Sequence, residues 1–299
     1  MALWSIASND CFMKNFKKSI YGLVSIFAIV IACTDLEEEL VSDFTEGTTI
    51  PGVTIDIAAT DGSSQAVQDQ IGAAFEKLRG GTAGHNNYWS VQSVSSDEMQ
   101  VGQKGGDWYD GGIWLDMHKH EYTAASGPLT NTWNTAYNSI SEVNLTLAKT
   151  GLSANEIAQL KVLRAFFYWR LMDLFGNVKV VTTVGQDASQ SSRAEVFNFI
   201  ESEILSALGI TAVSASMDLT NSDLNTSSKK YRINQYAAMG LLSRIYLNAE
   251  VYNGTARYQE AADAASWVID NGPYELTTKS NSVVTVSYTH LTLPTIYSV

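Results

Sequence analysis

Through the middle of the chain, apolar residues recur every three or four positions, the spacing that lines up one face of a helix with 3.6 residues per turn. Val67, Ile71, Ala74, Phe75 and Leu78 form one stripe. Trp133, Tyr137, Ile140, Asn144 and Leu147 form another, with Asn144 its polar member. Ser153 followed by Glu156 reads as a capping box, in which each side chain satisfies a backbone N–H left unpaired at the start of a helix. Ile157, Leu160, Leu163, Phe167, Leu171 and Leu174 then follow, and Gly176 supplies the stop. Further amphipathic helices are expected at about 193–208, 234–252 and 257–271, the last ended by Gly272 and Pro273.

Helices therefore come in pairs. Ala136, Ala165, Ala237, Ala238, Ala261, Ala262 and Ala265 put small residues where neighbouring helices can approach closely. The expected fold class is all-α, a tetratricopeptide-like helical repeat scaffold. The repeat is degenerate, since no 34-residue self-match is present, and an ordinary bundle shares these features. Residues 80–123 break the pattern with an irregular aromatic, glycine-rich insertion that holds three Trp and three Tyr but no helical stripe. Long irregular segments inside compact domains are either functional or disordered, and this aromatic content argues for function.

Composition narrows the class without changing this picture. Of 299 residues, 45% are hydrophobic and 17% charged, with 4 Pro, as expected of a globular chain with a sizeable core. With 19 basic against 31 acidic residues the net charge is −12, which repels phosphate backbones and excludes nucleic acid as an expected partner. The two cysteines, Cys11 and Cys33, cannot build a disulfide framework.

Both cysteines lie near the start. From Met13, a basic stretch with Lys14, Lys17 and Lys18 leads into an apolar run from Tyr21 to Ala32 and then Cys33. That layout is a secretory signal peptide, too short in its apolar part to span a bilayer. Val30-Ile31-Ala32-Cys33 resembles the lipobox of bacterial lipoproteins, which makes Cys33 the expected lipidation site. Residues 1–32 are read as an upstream false start plus signal peptide, leaving a mature charge of −14. Residues 33–48 follow as an acidic, lipid-proximal tether. Its Asp35, Glu37, Glu38 and Glu39 resemble a signal for export to the outer face of an outer membrane, with a plain solvated linker as the alternative.

The other end is unusual in a different way. Val286 to Thr295 reads VSYTHLTLPT, which has strand-like propensity but is similar, residue for residue, to the translation of a mosaic-end sequencing adapter. Residues 286–299 are therefore read as an adapter-derived tail, and 49–285 as the N-terminal helical domain of a longer protein.

Candidate chemistry concentrates in residues 104–114. Lys104, Asp107, Trp108, Tyr109, Asp110 and Trp114 surround the pairs Gly105-Gly106 and Gly111-Gly112, whose permissive dihedrals suit a tight, side-chain-presenting loop. Sugars offer apolar C–H faces and a rim of hydroxyls, so flat aromatics beside fixed polar groups are what a glycan site needs. Lys104, Trp108, Tyr109, Asp110 and Trp114 are the candidate ligand-binding residues, with core packing the competing role for the aromatics. If 113–123 is a strand, Asp116, His118 and His120 share a face, but such alternation is routine on surface strands and no metal is expected. Tyr122, on the same face, is read as a packing neighbour. Asp97 and Glu98 are adjacent and point apart, which disfavours a glycosidase pair. GxSxG, Walker A, HExxH and CxxC motifs are absent, so neither catalysis nor a cofactor is expected.

These blocks together resemble the SusD/RagB family of outer-membrane nutrient-binding lipoproteins. RAFFYWRLMDLFGNVKVVT (Arg164 to Thr182) is closest to the family's hallmark helix, glycine stop and extended segment, with Lys179 where the family usually carries proline. SSDEMQVGQKGGDWYDGGIW, WNTAYNSISEVN, AAMGLLSRIYLNAEVY and YQEAADAASWVIDNGPYEL agree in order. The resemblance implies a SusD-like scaffold, lipid-anchored on the cell surface at the outer membrane. It further implies capture of an oligosaccharide or polysaccharide for delivery to a SusC-like TonB-dependent transporter. A surface glycoside hydrolase and a non-catalytic protein-interaction scaffold are the alternatives.

Overall fold

Each long apolar stripe is a helix in the computed structural model, which describes residues 65–102, 109–227 and 231–274. In chain order the helices are α1 (Gln65–Leu78), α2 (Tyr88–Ser95), α3 (Ile113–His118), α4 (Gly127–Leu147) and α5 (Ala154–Phe175). They continue with α6 (Arg193–Leu208), α7 (Gln235–Leu247), α8 (Ala249–Asn253) and α9 (Tyr258–Asn271). Two short strands, β1 (Val178–Lys179) and β2 (Gln190–Ser191), pair antiparallel between α5 and α6. The architecture is the expected all-α one. Cys33, the signal and tether segments and the tail at 286–299 lie outside the described residues, as do Lys104 and Trp108. No helix of the described residues is long and apolar enough to cross a membrane.

The organising element is α5, which packs against α4 and α6. It is buried nearly all round. Leu160, Leu163, Phe167 and Leu171 of the predicted stripe are buried, and so are Val162, Ala165, Tyr168 and Met172 on other faces. A helix apolar on every side belongs inside a domain, and each such side chain contributes about 1.5–3 kcal/mol by leaving water. Outside this centre α1 packs on α4, and α7 packs on α9. Of the alanines expected at close approaches, Ala136, Ala165, Ala238 and Ala261 are buried, with Ala264 beside them, whereas Ala237 and Ala262 face outward.

Local chemistry sets the helix ends. Ser153 Oγ accepts from the Glu156 N–H while the Glu156 carboxylate accepts from the Ser153 N–H, completing the predicted capping box. Ser192 and Glu195 repeat it at α6. Gly176 ends α5 at φ 72°, where a side chain would be strained and a Cβ would sit 3.1 Å from Arg193. Immediately beyond, the extended segment after Gly176 is held by a polar ladder. Tyr168 Oη donates to the Val181 carbonyl at 2.9 Å and accepts from the Val181 N–H at 2.7 Å. Arg164 donates to Asn144 Oδ1 at 2.8 Å and to the Thr182 carbonyl at 3.2 Å, and Asn144 donates to the Val181 carbonyl at 3.0 Å. Glu203 on α6 takes two N–H groups of Arg164, at 2.7 and 2.8 Å. Lys179 uses the N–H that proline would lack, donating it to Tyr137 Oη at 3.0 Å.

Two expectations are corrected. The helix expected over 234–252 is interrupted at Asn248, whose backbone leaves the helical region at φ −106° and ψ 10°. The 80–123 insertion is not wholly irregular, because it contains α2 and α3. The condition that 113–123 be a strand is not met, since the segment is α3 followed by a turn, which removes the shared face for Asp116, His118 and His120.

Candidate functional site

The insertion has a small core of its own. Val91 and Val94 of α2 meet Trp114 and Met117 of α3, and Val101, Leu129 and Leu174 close around them. Chain entry into α3 is a tight left-handed turn in which Asp110, Gly111 and Gly112 take φ values of 45°, 70° and 93°. Glycine adopts such angles freely, and aspartate is among the few other residues that tolerate them. The Gly112 N–H donates to the Tyr109 carbonyl at 2.7 Å, and a Cβ on Gly112 would lie 3.4 Å from Tyr109 Oη, so the phenol folds over the turn.

The site residues predicted from sequence separate here. Trp114 turns inward, 1% exposed, with its indole N–H donating to Asp110 Oδ2 at 3.0 Å. Its ring anchors the turn instead of offering a stacking surface, a correction with a simple cause: the N-terminal end of α3 has to bury one large residue against α2. Tyr109 is half-buried and Asp110 exposed, both at the surface of the same turn. Asp97 lies 3.4 Å from His118 Nδ1, so its carboxylate faces an imidazole and not a second acid. His120 Nε2 donates to the Ser95 carbonyl at 2.8 Å, which ties the turn after α3 back to α2. Among the described residues no group of three His, Cys, Asp or Glu could hold a metal ion. Tyr122 is 42% exposed and meets His120 edge-on at 6.1 Å, a more open position than the packing role expected of it.

Adjoining the insertion's small core through Leu129 is a pocket of about 390 Å³ lined by Ala124, Leu129, Thr130, Trp133 and Phe175. Trp133 stands edge-on to Phe175 at 5.0 Å and tilted against Tyr137 at 4.9 Å, so three rings fix one another. Tyr137 Oη donates to the Lys179 carbonyl at 2.9 Å besides accepting from its N–H, and burial pushes the phenol's pKa up. This pocket was not predicted as a site. In the sequence Trp133 and Tyr137 are members of a helical stripe and nothing more. The available signal was that Trp133 opens that stripe, where a helix face can leave the core and reach the surface.

A polar pillar joins the insertion to the scaffold. Tyr88 of α2 donates to Asp173 Oδ2 at 3.1 Å, and Tyr252 of α8 donates to Asp173 Oδ1 at 2.7 Å. Trp169 donates its indole N–H to Tyr252 Oη at 3.2 Å. The Arg170 guanidinium lies 4.1 Å from the centre of the Tyr88 ring and 4.2 Å from that of Trp169. Burial pushes Tyr88 up to about 12 against the pull of Arg170, so the phenol stays neutral and keeps donating. Tyr88, Trp169 and Tyr252 are all buried, so the pillar fastens the insertion to the scaffold and offers no ligand surface.

Comparison with known proteins gives a consistent answer. The family model described as SusD-like, starch-binding and associating with the outer membrane matches residues 60–247. Among solved structures, a SusD homologue from Bacteroides thetaiotaomicron VPI-5482 superimposes with a TM-score of 0.55 at 21% identity, covering 72% of this chain and 42% of its own. A laminarin-binding SusD-like protein gives 0.54 at 20%, covering 73% and 45%. Surface glycan-binding protein A from Bacteroides fluxus gives 0.54 at 22%, covering 72% and 46%. The chain thus spans less than half the length of these structures. No curated protein matches it.

Proposed function

Because this chain belongs to the SusD-like family, whose model covers residues 60–247, we propose that it is a surface lipoprotein that binds glycans and passes them to a SusC-like TonB-dependent transporter. The observations that carry the binding part are the Tyr109–Gly112 turn at the surface and the Trp133 and Phe175 pocket, which shares Leu129 with the insertion's small core. Flat rings there can stack on the apolar face of a sugar, while Asp110 and Thr130 offer polar groups to its hydroxyls. Lys104 and Trp108, which lie outside the described residues, are proposed as further ligand contacts from the sequence alone. Two of the similar structures are named for binding laminarin and surface glycans, which supports a glucan or related polysaccharide as the ligand class.

The proposed mechanism is capture without turnover. A glycosidase needs two carboxylates set across a cleft at a defined separation, and Asp97 instead faces His118. Cys33 is the proposed lipid attachment point, which would hold the binding surface at the outer membrane. Affinity electrophoresis through gels containing starch, laminarin or other neutral polysaccharides tests the reading directly. Retardation in at least one gel, with no release of reducing sugar, is the expected result. Free migration of the folded protein through the whole panel would sink it, and steady release of reducing ends would favour the hydrolase alternative. Anchoring is checked separately, by loss of fatty-acid labelling in Cys33→Ala.

A further inference from the structure

We infer that a second pocket, between the 217–226 segment and the facing ends of α7 and α9, is a glycan subsite selective for uncharged sugars. It encloses about 510 Å³, within the range of roughly 300–1,000 Å³ common to small-molecule sites. Its floor is fixed. Leu219 and Leu224 are buried, and Gln235, itself 7% exposed, donates its side-chain amide to the Leu224 carbonyl at 2.7 Å and its backbone N–H to the Asn225 carbonyl at 3.1 Å. The Asn225 N–H is tied in turn to Asn155 Oδ1 at 3.1 Å. One wall is Trp267, whose ring stacks on Tyr236 with centroids 5.5 Å apart and planes 30° from parallel.

Around that ring the lining is polar and almost uncharged. Asn225, Thr226 and Asn271 are exposed at the pocket and supply amides and a hydroxyl, groups that can both donate to and accept from sugar hydroxyls. Asp218 is the only charged residue among the described lining, and it has no Lys, Arg or His beside it there. Its carboxylate accepts the Thr220 N–H and hydroxyl, both at 2.9 Å. Among the described lining an acidic sugar would meet one carboxylate and no cation, which favours a neutral glycan. This pocket lies on α7 and α9, elements distinct from those carrying the Tyr109 and Trp133 surface.

The inference rests on the glycan-binding reading above, and one experiment separates their failures. Hydrogen exchange is followed on the full chain with and without maltoheptaose, laminarihexaose or an oligogalacturonate. The variants are Asn225→Ala with Asn271→Ala, both exposed positions, and Tyr109→Ala. Slower exchange across 217–226 is expected with a neutral oligosaccharide. The protection should fall at least fivefold in the asparagine double variant and persist in Tyr109→Ala, and oligogalacturonate should give none. Protection confined to 109–133, equal protection by the charged oligosaccharide, or protection at 217–226 that survives the double variant overturns the subsite and leaves the general reading standing. Absence of protection anywhere with either neutral oligosaccharide overturns both.

Discussion

Around Arg164 a single guanidinium joins Glu203, Asn144 and the Thr182 carbonyl, inside a helix buried on nearly every side. Around Trp114, three further buried side chains, its indole hydrogen bond and the His120–Ser95 bond hold α2, α3 and the turns at the ends of α3. The first region is a network centred on one buried cation, so losing Arg164 removes several contacts at once. The second depends on a few contacts, with the Tyr88–Asp173 hydrogen bond and Arg170 stacking to fasten it. Of the aromatics proposed for binding, Tyr109 sits on this sparsely held region, while Trp133 and Phe175 sit on α4 and α5 of the scaffold.

The largest test of that contrast is Arg164→Ala. It leaves the largely covered Glu203 without its cation and releases the extended segment, so denaturant unfolding should show a loss of about 3 kcal/mol across the whole protein. Trp114→Ala removes a comparable volume, yet its effect should stay local. Hydrogen exchange should speed up through α2 and α3 while α5 and α6 keep their protection, and a uniform loss instead would show that the two regions unfold as one.

A smaller effect is expected from alkali. Burial raises Tyr88 from 10.0 to about 12, so its contribution is fully present below pH 10 and is lost as pH rises towards 12. Exchange in α2 followed from pH 9 to 11.5 by pulse labelling, corrected for the intrinsic rate, should accelerate in the wild type more than in Tyr88→Phe. Matching profiles would remove Tyr88 as the fastening point. The smallest is Ser153→Ala, which deletes one half of a capping box and should lower stability by about 1 kcal/mol in equilibrium unfolding, with the insertion unaffected.

What the sequence revealed follows the same division. Ser153, Glu156 and Gly176 obey rules that act within a few residues, so both ends of α5 could be read directly. Ser192 and Glu195 obey the same capping rule and could have been found by it. The break at Asn248 could not, because apolar residues continue in phase across it. In α2 the buried face includes Ser90 and Ser93, which interrupt the apolar pattern and hide a short helix. At the site, composition marked the insertion as aromatic but not which rings turn inward. Trp114 and Ile113 are neighbours in sequence, yet one is 1% exposed and the other 37%. The 217–226 pocket has no periodicity at all, and its lining converges only when α7 and α9 pack together.

The most direct measurement is calorimetric titration of the protein and its Trp108→Ala, Tyr109→Ala double variant with whichever neutral oligosaccharide retards it in gels. The account predicts affinity at least about tenfold weaker in the variant, near 1.4 kcal/mol, with an unchanged unfolding midpoint. Equal affinities in the two proteins would contradict it, because the insertion would then be packing alone and the ligand would be held elsewhere.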